Sequence, residues 1–229
     1  MNRIAIITAR GGSKRIPRKN IKEFLGKPIL AYSIEAALAS GVFDEVMVST
    51  DDEEIADIAR KYGAKVPFMR SEKTSNDYAT SADVLTEVIE NYKAKGRVFD
   101  EFVCIYPTAP FVNGEKLKNA IGILENNDAD TVMPVVKFDF PPQRGLIIND
   151  GSLAFREPQY ALTRSQDLEP MYHDCGQFYV CRVSSFEKER KLVMSKTFPV
   201  IMPEEEVQDI DNFSDWEMAE LKYKMFMEK

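Results

Sequence analysis

Residues 9–22 read Ala-Arg-Gly-Gly-Ser-Lys-Arg-Ile-Pro-Arg-Lys-Asn-Ile-Lys, with six basic residues, two adjacent glycines and no acid. The chain as a whole has a net charge of −7, so this positive charge is a local concentration. A glycine-containing loop lets backbone N–H groups approach an anion, and lysine and arginine side chains supply the opposite charge. That chemistry suits a polyphosphate. The spacing is neither Gly-x4-Gly-Lys-Ser/Thr nor Gly-x-Gly-x-x-Gly. A solvated basic turn is the alternative reading. The run follows the apolar stretch Ile4-Ala5-Ile6-Ile7, and a loop leaving the first strand of an α/β pattern is where such folds bind phosphate.

Asp209 and Asp211 form a second constellation. On an extended segment the two carboxylates share a face, where they repel unless a cation joins them. Mg²⁺ takes one or two carboxylates together with phosphate oxygens and water, so the pair suits a metal–nucleotide site. The other reading is a surface pair ahead of a helix capped by Asn212 or Ser214. The acids Asp51, Asp52, Glu53 and Glu54 read first as a helix start, with Thr50-x-x-Glu53 as a capping box and Asp52 able to face a cleft. His173 is the single histidine, which excludes a zinc site built on several. No serine lies in a nucleophile elbow, so a hydrolase triad is set aside. Cys104, Cys175 and Cys181 match no zinc spacing and read as reduced thiols in the cytoplasm.

These groups need a scaffold. The 229 residues suffice for one sizeable α/β domain, and 44% hydrophobic content with 10% aromatics is ordinary for a globular chain. A pI near 5.0 argues against nucleic acid as a partner. No apolar window approaches a membrane span, and no signal-peptide core precedes the first strand. Strands are expected at 3–8, 45–49, 65–69, 101–105 and 131–136, and helices at 28–39, 53–62, 80–92 and 116–126. The alternation predicts a largely parallel sheet covered by helices, with ligands beyond the carboxyl ends of its strands. After residue 136 the rhythm breaks at Phe-Asp-Phe-Pro-Pro-Gln-Arg. Short strands near 145–148 and 152–155 suggest a lobe inserted at about 137–174. Strands at 176–181 and 197–202 return to the sheet. A helix from 213 closes the chain, with Met218, Ala219, Leu221, Met225 and Phe226 as its apolar face.

The stretch 6–20, together with Gly26-Lys27-Pro28-Ile29, Ser49-Thr50-Asp51-Asp52-Glu53-Glu54-Ile55, Tyr106-Pro107-Thr108-Ala109-Pro110 and Gln208-Asp209-Ile210-Asp211, resembles the acylneuraminate and related sugar-acid cytidylyltransferases. The resemblance covers nearly the whole chain. Phe138 to Arg144 and Tyr172 to Tyr179 resemble its pseudaminic acid branch. It implies a Rossmann-like three-layer nucleotidyltransferase fold, a single domain over 1–229 with a mostly parallel sheet and a small inserted dimerisation lobe. It implies transfer of CMP from CTP to a nine-carbon α-keto sugar acid, with Mg²⁺, in a cytoplasmic homodimer, for cell-surface glycoconjugates.

The resemblance also assigns roles. Arg10, Lys14 and Lys19 would contact the triphosphate within a loop of Ala9, Arg10, Gly11, Gly12, Ser13, Lys14, Lys19 and Asn20. Arg70, Ala79 and Ser81 would frame cytosine and ribose. Arg10, Lys19 and Asp211 would act in the transfer, and Asp209 with Asp211 would hold the metal. Thr80-x-x-Asp83 also reads as a capping box beside Ser81. Relatives often carry glutamine at the position of Tyr106, whose role is left open. For the sugar, the candidates are Gln143, Arg144, Arg164, Asp174, Gln177 and Tyr179. Arg164 fits a carboxylate and equally reads as a surface arginine. His173 would bond a sugar amide or pack on Tyr172. Sialic acid, legionaminic acid and 3-deoxy-manno-octulosonate remain alternative substrates, and a non-enzymatic nucleotide- or RNA-binding module is the remaining class.

Overall fold

The computed structural model describes residues 1–228. The chain runs β1 (Arg3–Thr8), β2 (Glu23–Phe24), β3 (Lys27–Pro28), α1 (Ile29–Ser40), β4 (Glu45–Ser49), α2 (Glu53–Lys61), α3 (Glu72–Ser75), α4 (Ser81–Ala94), β5 (Glu101–Ile105), α5 (Gly114–Asn126) and β6 (Thr131–Lys137). It continues through β7 (Leu146–Asn149), β8 (Ser152–Phe155), β9 (Tyr172–Asp174), β10 (Phe178–Arg182), α6 (Val183–Glu189), β11 (Thr197–Ile201) and α7 (Phe213–Met227).

The central sheet has the order β11-β6-β10-β5-β1-β4, with β9 also paired to β6. β4, β1 and β5 are mutually parallel, as are β6 and β11. β10 lies antiparallel between β5 and β6. Strands β4 and β5 are buried along their whole length, as continuous apolar runs in a two-faced sheet must be. One face packs Leu30 and Ile34 of α1, Ile55 of α2 and Leu117 and Leu124 of α5. The other packs Leu85, Val88 and Tyr92 of α4 against Phe102 and Phe186. The result is three layers with the parallel strands β1, β4 and β5 delivering their carboxyl ends to one rim. No described helix is long and apolar enough to cross a membrane, and the three cysteines are free and buried.

Several sequence expectations change. Residues 65–69 form no strand: Lys65 makes a single bridge to Met47, and Pro67 has no N–H to continue a ladder. Pro28 ends β3 and precedes α1 rather than opening it. The cap of α2 is Asp52, which accepts from the Ile55 N–H; Thr50 does not form the capping box with Glu53. The inward face of α7 is Trp216, Ala219 and Tyr223, packed on Phe24 and Tyr32. Met218, Leu221 and Met225 are exposed, because they lie on the opposite side of the helical repeat from Trp216, Ala219 and Tyr223. The return from the lobe is split in two, and Gly176, at φ 61°, turns the chain between β9 and β10.

Candidate active site

A cleft of about 560 Å³ opens at the carboxyl ends of β1 and β5. Its basic wall is the loop after β1, from which Arg10, Ser13, Lys14, Arg15, Lys19 and Asn20 reach it. Tyr106, Pro107 and Thr108, immediately after β5, form its floor. Ala79, Thr80 and Ser81 at the start of α4, together with Arg70, form the opposite wall, and Asp211 closes one end.

The loop is held by its own side chains. Asn20 is buried, and its amide donates to the Arg10 carbonyl at 2.8 Å. Arg18, in the left-handed region at φ 56°, turns the chain before Lys19 and pairs with Asp52 and Glu54. Lys19 Nζ donates to the Ile210 carbonyl at 2.6 Å, tying the loop to the segment that carries Asp209 and Asp211. Burial lowers the Lys19 ammonium pKa, against the pull of Asp211 and Asp209. On the far wall, Arg70 is buried and donates to Ser49 Oγ at 3.1 Å and Ser49 O at 2.7 Å; its burial lowers the guanidinium pKa. The capping box expected at Thr80 and Asp83 is present. It orients α4 so that the helix's partially positive N-terminus meets the cleft at Ser81.

Of the residues expected at a nucleotide, Arg10, Ser13, Lys14, Lys19, Asn20, Arg70, Ala79 and Ser81 line this one cleft. Ala9, Gly11 and Gly12 do not. Ala9 is fully buried and continues the sheet by donating to Ser49 O at 3.0 Å. The Gly11 N–H is taken by Asp51 Oδ1 at 2.9 Å, so it is not aimed at a ligand. Gly11 is required for a different reason: a Cβ there would stand 2.8 Å from Asp52 Oδ2. Asp52 itself caps α2 and pairs with Arg18 rather than facing the cleft.

Asp211 lines the cleft and pairs with Arg15 at 2.7 Å. Asp209 does not line it, but it senses its neighbour: burial and the Asp211 carboxylate raise the Asp209 carboxyl, opposed by Lys19. Asn212 caps α7 with Asp215 in a capping box, so helix cap and acid pair coexist. No group of three or more metal-ligating side chains occurs among the described residues.

The sugar candidates are not brought to this cleft within one chain. Arg164 is paired bidentately with Asp167, Arg144 donates to Ser165 Oγ at 3.2 Å, and Gln143 donates to Glu169 O at 2.8 Å. Gln177 is buried and donates to Glu206 O at 2.7 Å. Asp174 accepts from the Gly176 N–H and from the Tyr179 hydroxyl. Tyr179 is buried against Tyr106 of the cleft floor, with ring centroids 5.7 Å apart, and does not itself line the cleft. His173 packs on Phe138 rather than on Tyr172. Asn76 and Asp77, which sequence reasoning passed over, do line the cleft. They follow Arg10 by more than 60 residues, and no local spacing marks them.

A cytidylyltransferase family model matches residues 4–226. The chain belongs to the cytidylyltransferase family. The chain is 42% identical over 226 residues to the pseudaminic acid cytidylyltransferase of Campylobacter jejuni subsp. jejuni serotype O:2, covering 98% of this chain and 97% of that one. It is 31% identical to the CMP-N,N'-diacetyllegionaminic acid synthase of Legionella pneumophila, covering 96% and 95%. In fold, this cytidylyltransferase matches the structure of a CMP:2-keto-3-deoxy-manno-octonic acid synthetase complexed with CTP at a TM-score of 0.70, 19% identity and full coverage of both chains. A 4-diphosphocytidyl-2C-methyl-D-erythritol synthase from Anaerococcus prevotii follows at 0.65, with 18% identity and coverage of 97% and 98%. The mostly parallel sheet expected from sequence is thus that of a nucleotidyltransferase.

Proposed function

We propose that this enzyme activates pseudaminic acid, a nine-carbon α-keto sugar acid, with CTP to give the CMP-sugar acid and pyrophosphate. The observation that carries the reading is the gathering of Arg10, Lys14, Lys19 and Asp211 into one cleft at the strand ends, in a chain whose relative of that activity aligns end to end. The anomeric hydroxyl attacks the α-phosphorus, its proton is lost, and the bond to pyrophosphate breaks. Both reactants are anionic, so repulsion is the main obstacle. Arg10, Lys14 and Lys19 offset it by meeting the charge that develops on the departing pyrophosphate. Arg70, Ala79 and Ser81 would frame the base and ribose, and the N-terminus of α4 adds its dipole. Holding both partners in one geometry contributes much of the rest.

Asp209 and Asp211 fit a divalent cation. The Asp211 carboxylate lies near enough to Asp209 to help burial raise its carboxyl, and Asp211 reaches the cleft where phosphate oxygens would complete the shell. When bound, Mg²⁺ supplies charge neutralisation of the triphosphate. One of the two aspartates would also assist deprotonation of the hydroxyl. Incubation with each nucleoside triphosphate, Mg²⁺ and a panel of pseudaminic, legionaminic, sialic and 3-deoxy-manno-octulosonic acids, with detection of pyrophosphate, tests the reading. CTP with pseudaminic acid is expected to release it fastest. Binding of CTP without turnover on any sugar acid would replace the enzyme with a sensor.

A further inference from the structure

The two forward cations of the basic loop share a single internal anion. Arg10 Nη1 lies 3.0 Å from Asp77 Oδ1, and Lys14 Nζ bonds to Asp77 Oδ2. The same Arg10 nitrogen donates to the Asn76 carbonyl at 3.2 Å. One carboxylate thus engages Arg10 and Lys14 with separate oxygens, as a phosphoryl group would. Asp77 sits on the segment 76–80 that joins α3 to α4. That segment has its own support: the Asn76 side-chain oxygen accepts from the Tyr78 N–H at 2.8 Å and the Ala79 N–H at 3.1 Å. Among the described residues, the ion pairs of Asp77 are those with Arg10 and Lys14. Its carboxylate is exposed enough to leave them.

We infer that Asp77 is a specificity-determining residue, an internal competitor of the pyrophosphate group for Arg10 and Lys14. The inference rests on the reading of this cleft as the triphosphate site. An incoming ligand must displace a carboxylate held by two cations, which a singly anchored monophosphate does poorly and a polyphosphate of higher charge does well. After transfer, the same carboxylate returns to Arg10 and Lys14 as pyrophosphate departs, so it limits product retention. No bond is made or broken in the exchange.

The test is titration calorimetry of inorganic pyrophosphate, and separately of inorganic phosphate, without Mg²⁺ at fixed ionic strength. Wild type, Asp77→Asn, Asp77→Ser and Asp77→Glu are compared. Removing the carboxylate is expected to tighten pyrophosphate binding about tenfold in both the Asn and Ser variants. Asp77→Glu should restore the weaker binding, and inhibition by added pyrophosphate should rise in parallel in the turnover assay. Equal or weaker pyrophosphate binding by folded Asp77→Asn and Asp77→Ser, with wild type binding normally, overturns the competitor role alone. If wild type and every variant fail to bind pyrophosphate, the triphosphate assignment of the cleft falls together with it.

Discussion

Lys19 is a tightly held cation of the cleft. Burial disfavours its charged form, Asp211 and Asp209 favour it, and the Ile210 carbonyl fixes its position. A charge held that way is pre-oriented for the developing pyrophosphate, so Lys19→Ala is expected to lower kcat by about 10²-fold or more while changing CTP affinity much less. Steady-state kinetics with calorimetric CTP binding separate the two, and a pure loss of affinity would reduce Lys19 to uniform binding. Asp211 pairs with Arg15, and that pair is exposed at the cleft. Its removal should therefore leave folding nearly intact. Asp211→Asn is expected to cut turnover by about 10²–10³-fold with an unchanged thermal midpoint, and near-normal turnover at saturating Mg²⁺ would remove its assignment. The basic side of this site was legible in the sequence because Arg10, Lys14, Lys19 and Asn20 lie on one loop. Asp77 and Arg15 were not, since their parts depend on partners 67 and 196 residues away.

Helix α4 joins site to scaffold. Its first turn is fixed by the Thr80–Asp83 box, and its body packs on β1 and β5 through Leu85, Val88 and Tyr92. Thr80→Ala is expected to cost about 1 kcal/mol of stability and to weaken CTP binding, because Ala79 and Ser81 move with the cap; denaturant unfolding and calorimetry check both. Deeper along the same helix, the Tyr92 hydroxyl meets Glu45 of β4, which also pairs with Lys65 and Arg97. Burial alone would raise the Glu45 carboxyl, yet bonds from Tyr92, Arg97 and Lys65 outweigh it and bring it down. A depressed folded-state value means stability that is present above the unfolded value of about 4.3 and lost as pH falls through the lower folded one. Thermal melts should therefore show a larger loss between neutral and acid pH in wild type than in Glu45→Gln, which is expected to be about 1–3 kcal/mol less stable at pH 7. These elements were readable from apolar periodicity, since a buried strand and a one-sided helix write it plainly. The failures fall where periodicity says nothing about direction: Pro67 ends a strand-like run, and α7 turns Trp216 rather than Leu221 to the core.

At the scale of the molecule, the β7–β8 hairpin is what one chain leaves unfinished. It forms a two-stranded sheet of its own, turned at Asp150 and Gly151 with φ of 48° and 81°, and Leu146, Ile147, Ile148 and Leu153 on it are all exposed. A lone hairpin is marginal in water, and a cluster of apolar side chains at this exposure suits a surface for another molecule. A second copy of the chain is the proposed cover, with the lobe's Gln143, Arg144 and Arg164 carried toward the partner's cleft. That arrangement would account for sugar-binding candidates that line no cleft of their own chain. Replacing Ile148 and Leu153 together with aspartate is expected to convert a dimer to a monomer in analytical ultracentrifugation, with the far-UV spectrum kept, and to abolish transfer to the sugar acid while leaving CTP binding within about threefold of wild type, a change below 1 kcal/mol. Mixing Arg164→Ala with Lys19→Ala protein then asks whether sites are shared. Recovery of activity on mixing requires a cleft from one chain and a lobe from the other, whereas a monomeric wild-type enzyme with full turnover would confine the sugar site to a single chain.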